Sequence, residues 1–130
     1  MSKPWTTALV GMTLVFTPAL YAHADCRTRT MLTATADGAA INAEGNAEAR
    51  QVRGRERLKV QVRAGVADGT TFIAFADGQV AGTLTTALGF AELELDTEDG
   101  SLPPGFRPVC SLSTVEVTDE AGILILFGSF

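Results

Sequence analysis

The sequence predicts an all-β protein: a single antiparallel, immunoglobulin-like β-sandwich of about seven or eight short strands. Three observations predict it. Apolar and polar residues alternate with period two in several segments, as in Leu58, Val60 and Val62 against Arg57, Lys59, Gln61 and Arg63, the pattern of strands with one buried and one wet face. Turn signals such as Asp68-Gly69 and Asp77-Gly78 separate these runs at the rough 8–12-residue spacing of sandwiches and small barrels. No segment sustains a helical period.

The chain opens with a segment outside this pattern. Lys3 precedes an apolar run from Ala8 to Leu20, and Ala22-His23-Ala24 places small residues where a signal peptidase reads them. The segment is too short for a bilayer span of roughly 20 residues, so residues 1–24 are expected to be a signal peptide cleaved before Asp25. Residues 25–130 then form one domain, exported to the periplasm or beyond the cell. Cys26 is not a lipid-attachment site, because Asp25 rather than a small residue precedes it.

Each element follows in order. Thr28 to Thr35 is rich in β-branched residues and reads as the first strand, ended by Asp37-Gly38. Gly45 to Val52 is ambiguous: its Ala and Glu content suits a weak strand or a short helix. Arg55 to Arg63 is the clearest strand. Phe72 to Ala76 and Gln79 to Thr86 flank Asp77-Gly78 as a hairpin. Ala91, Leu93 and Leu95 are expected inward, with Glu92, Glu94 and Asp96 outward. Gly100, Pro103, Pro104, Gly105 and Pro108 make 97–111 a long loop. Ser113 to Thr118 and Ile123 to Phe127 complete the strands.

The segments Ala76-Asp77-Gly78-Gln79-Val80-Ala81-Gly82-Thr83-Leu84, Glu92 to Thr97 and Val115-Glu116-Val117…Gly122…Leu126-Phe127-Gly128-Ser129-Phe130 resemble a group of small exported bacterial all-β proteins. These share a D-G-x-x-V/A-G-T hairpin and a terminal V-E-V…G…L-x-G-x-F hairpin. The resemblance covers about the last 75 residues and implies strand layout and export. The group has no known activity, so no catalytic residue is carried over.

Composition narrows the chemistry. The single His, Trp and Tyr all lie in residues 1–24, and residues 25–130 hold nine basic against fifteen acidic residues, a net charge of −6. A Ser-His-Asp or Cys-His arrangement is therefore not available to the mature chain, and no cofactor is implied. Net acidity argues against nucleic acid as a partner. Cys26 and Cys110, in an oxidising compartment and without CxxC spacing, are expected to form a disulfide.

The expected function is a non-enzymatic binding or structural role. Two alternatives have specific residues. Glu92 and Glu94 project from one strand face roughly 6–7 Å apart, as in a carboxylate-based hydrolase, although strand alternation alone accounts for both. Asp96, Glu98 and Asp99 form an oxygen-rich loop of the kind calcium prefers. Its spacing departs from an EF-hand, with Gly100 at the fifth position and Arg107 at the twelfth.

The basic stretch from Arg50 to Arg63 is read as pairing across strands with Glu92, Glu94 and Asp96, or alternatively as a patch for an anionic partner. A membrane barrel is disfavoured, because short strands with charged outward rows leave no apolar band. Finally, Phe72, Ile73 and Phe75, with Ile123, Leu124, Ile125, Leu126 and Phe127, break the alternation. They are expected to belong to neighbouring strands buried on both faces. Their outer side chains would be covered by the segment Leu102 to Val109, by a protein partner or by a second copy in a homodimer.

Overall fold

The computed structural model describes residues 25–130; the expected signal peptide lies outside the described residues. The fold is all-β. Its strands are β1 (Cys26–Ala34), β2 (Glu44–Val52), β3 (Arg55–Arg63), β4 (Thr71–Ala76), β5 (Gln79–Thr85), β6 (Phe90–Asp96), β7 (Thr114–Asp119) and β8 (Leu124–Ser129). One short helix, α1 (Ala36–Ala40), follows β1. Among the described residues, no helix is long and apolar enough to cross a membrane.

The strands form one antiparallel sheet in the order β5-β4-β7-β8-β1-β2-β3-β6. β1 joins its two halves: Cys26 to Leu32 pair with β2, and Thr33 and Ala34 pair with β8. The sheet wraps until its edge strands approach. A β-carbon on Gly82 of β5 would lie 3.0 Å from the Leu93 side chain of β6. The result is nearly a barrel, filled by Leu32, Val60, Val62, Phe72, Leu84, Val115, Val117 and Leu126.

Local chemistry explains the elements. Asp77 and Gly78 both have positive φ (49° and 81°), as a two-residue hairpin turn requires. Arg53-Gly54 (52° and 84°) and Leu88-Gly89 (54° and 76°) do the same. β2 is a strand, not a helix, because Gly45, Ala47 and Ala49 point inward against β3. The carbonyl of Gln61 occupies the space where a β-carbon on Gly45 would go. Thr35 caps α1, its Oγ1 accepting the Gly38 N–H at 3.1 Å.

Three expectations are corrected. β4 and β8 are not neighbours, since β7 lies between them. Ile125 and Leu126 are both buried, but not because β8 is covered on both faces. The register places Val117 opposite Leu126 and Thr118 opposite Leu124, so Ile125 is the extra residue of a bulge and turns toward the core. The segment from Leu102 to Val109 does not cover the outer face of β4 and β8. Leu102, Phe106, Val109 and Leu112 instead close one end of the barrel, against Ala49, Leu58, Ala76 and Leu95.

That plug is anchored twice. Cys110 is disulfide-bonded to Cys26, 84 residues away. Glu56, an inward-facing carboxylate of β3, accepts from Arg107 Nε at 2.7 Å and from the Val109 N–H at 2.8 Å.

Candidate binding face and the charged wall

The outer surface divides into two walls of different chemistry. On β1, β2, β3 and β6 the outward residues form charged rows. Arg27, Arg50, Arg57 and Asp96 are directly opposite one another across the four strands, as are Arg29, Glu48, Lys59 and Glu94. Arg27 Nε bonds Glu48 at 2.6 Å, and Arg55 Nη2 bonds Asp96 at 2.6 Å. Of the basic stretch, Arg55 and Arg57 pair with the acidic row of β6, as expected, while Arg63 meets Glu44 of β2. Arg50, Arg53 and Lys59 have no ion pair among the described residues, and Arg50 faces arginines on both sides.

The acidic loop spends its carboxylates internally. Asp96 accepts from Arg55 Nε and Nη2 and from the Glu98 N–H. These bonds hold its carboxyl well below the usual carboxylate range, the Arg55 contact contributing most. Asp99 is lowered by its bonds to the Ser101 hydroxyl and N–H. Glu98 lies 3.4 Å from Arg55. No group of three metal-ligating side chains gathers among the described residues. Glu92 accepts from Gln61 at 2.7 Å and Glu94 faces Arg57 at 3.9 Å, both on the convex wall rather than in a cleft.

Burial of Glu48 would raise its carboxyl, but the bond and charge of Arg27 outweigh this, and the net shift is downward. Asp96 stands outward by parity, as expected, yet only 5% of it is exposed. Arg55, Arg57 and the loop after β6 fold over it. Sequence reasoning missed Glu56, although a carboxylate at an inward position of an alternating strand was the available signal.

The wall of β5, β4, β7 and β8 is different. No Lys or Arg occurs in 64–106 or 108–130. Phe75, Glu116 and Phe127 are directly opposite one another across β4, β7 and β8, with Val80 beside Phe75 on β5. The adjoining row is Thr83, Ile73, Thr118 and Leu124. Phe127 is 42% exposed and Val80 60%. This wall carries apolar side chains on β4 and β8 on either side of Glu116 and Thr118 of β7. Glu116 has no ion pair among the described residues.

The eight residues expected at an interface thus separate into three groups. Ile73, Phe75, Leu124 and Phe127 share the outer face. Leu126 is core. Phe72, Ile123 and Ile125 line a cavity at the end of the barrel opposite the plug. No known protein family, no curated protein and no solved structure matches this chain.

Proposed function

We propose that this chain is an exported, non-enzymatic binding or structural domain that docks another polypeptide on the outer face of β4, β7 and β8. One observation carries the reading: Ile73 and Phe75 on β4 and Leu124 and Phe127 on β8 flank Glu116 and Thr118 of β7 on one outer face, where Phe127 is 42% exposed and the neighbouring Val80 60%. Uncovered patches of this kind mark interaction sites. Side chains fill the middle of the barrel, so a polypeptide partner would meet the outside of the wall. Export is supported by the leader pattern and by the Cys26–Cys110 bond, which belongs to an oxidising compartment. A two-fold stack of this face on itself would bring two Glu116 carboxylates together, so the reading favours a different chain over a second copy.

A photoreactive phenylalanine analogue at position 127, carried by the exported protein in its producing cells, tests this. A discrete cross-link to a second polypeptide is expected at position 127 and none with the same analogue at position 29, on the charged wall. A cross-link of twice the chain's own mass would assign the face to a homodimer. Absence of any adduct, or equal adducts at both positions, would refute the docking face.

A further inference from the structure

We propose that the end of the barrel opposite the plug is a binding site for a small amphipathic amine. A cavity of about 360 Å³ opens there between α1, the start of β4 and the start of β8. Its volume falls at the lower end of the range typical of small-molecule pockets, roughly 300–1,000 Å³. Ile41, Val66, Phe72 and Ile125 supply apolar walls, and Asp37 and Asp119 stand among the lining residues as its charged groups.

The electrostatics select the ligand. The stretches that build the cavity, 35–43, 64–72 and 117–125, contain no Lys or Arg. A carboxylate-bearing amphiphile would meet two like charges and no counter-ion. A neutral one would gain only the apolar contacts. A cationic one gains both.

Asp119 is fixed by the turn between β7 and β8. Its Oδ1 accepts the Ala121 and Ile123 N–H groups, each at 2.9 Å, while its second oxygen has no hydrogen bond among the described residues. Asp37 sits in the first turn of α1. Ile123, also lining the cavity, is 45% exposed and would be covered by a bound ligand. The site is independent of the docking face, which lies on the outside of the same strands.

Octylamine, octanol and octanoate, titrated into residues 25–130 and followed by NMR, test the proposal. Saturable shifts at Ile41, Val66 and Ile123 are expected with octylamine. Octanol should bind about five-fold more weakly, the scale of a solvent-exposed ion pair, and octanoate should not saturate. Asp37→Asn should bring octylamine toward octanol. Ala40→Trp, at an exposed lining position, should block the cavity and abolish binding, with Val66→Trp as a second plug if the first does not fold. Absence of saturable octylamine binding, octanoate binding as tight as octylamine, or unchanged octylamine binding in a folded plug variant would overturn it. Shifts confined to Phe75 and Phe127 would also overturn it, while leaving the docking face standing.

Discussion

Asp96 separates two properties that alternation treats as one. Its parity along β6 is outward, and the register confirms this by pairing it with Arg57. Its burial comes from elsewhere, since Arg55 and the loop after β6 close over it. Sequence parity specifies the face of a strand and not what later folds across that face. The lowered carboxyl has a consequence for acid stability. Its ionised form is favoured by folding, so the contribution is complete above the unfolded carboxyl's pKa and is lost as pH falls toward the folded value. Asp96→Asn should be less stable than the parent at neutral pH. The difference should shrink between about pH 5 and about pH 2, where an unpaired Asp would already be protonated. Urea unfolding of both proteins across that window measures it, and a constant difference would mean that Asp96 is not held ionised.

The connection between β6 and β7 is the element whose role was least legible. Its prolines and glycines identify it as a loop, and two 3-10 turns, Pro104–Phe106 and Val109–Ser111, are set within it. Its apolar residues, Leu102, Phe106, Val109 and Leu112, signal burial without saying against what. The answer is an end of the barrel, reached because Glu56 and Cys26 hold the segment there. Replacing Glu56 by Ala leaves the Val109 N–H buried and unpaired and releases Arg107. The expected loss is about 1.5–3 kcal/mol, the range for hydrogen bonds to a charged group. Glu92→Ala, on the outer wall, should stay within about 0.5 kcal/mol. Denaturant midpoints of the two variants compare them directly. β2 was ambiguous for a related reason: its inward face is Gly45, Ala47 and Ala49, too small to produce a clear apolar alternation, and that smallness is what lets β2 lie close to β3.

At the scale of the molecule, one covalent bond ties the first strand to the plug. The Cys26–Cys110 bond closes a loop with a sequence separation of 84 residues, for which loop-closure entropy gives about 4–5 kcal/mol. Denatured, unreduced protein should take up no thiol label. The double variant with Cys26→Ser and Cys110→Ser should lose about 2–5 kcal/mol, measured by urea unfolding. Labelling at both cysteines would contradict the bond. A small domain depends on such a staple more than a large one, because a smaller fraction of its surface is buried.

The all-β class, most strand positions, the Asp77-Gly78 hairpin and the cysteine pairing could be read from the chain alone. Each rests on local periodicity, on the φ demands of one or two residues, or on there being only two cysteines to pair. The placement of β7 between β4 and β8, the bulge that turns Ile125 inward, the plug at one end and the cavity at the other were decided by the tertiary structure. These depend on which distant segments meet. Five apolar residues in succession from Ile123 to Phe127 look alike in sequence, yet one wall, one core and one cavity divide them among three environments. The physical reason is that hydrophobicity is non-directional: it requires these side chains to leave water, and only the packing of the whole sheet determines where each one goes.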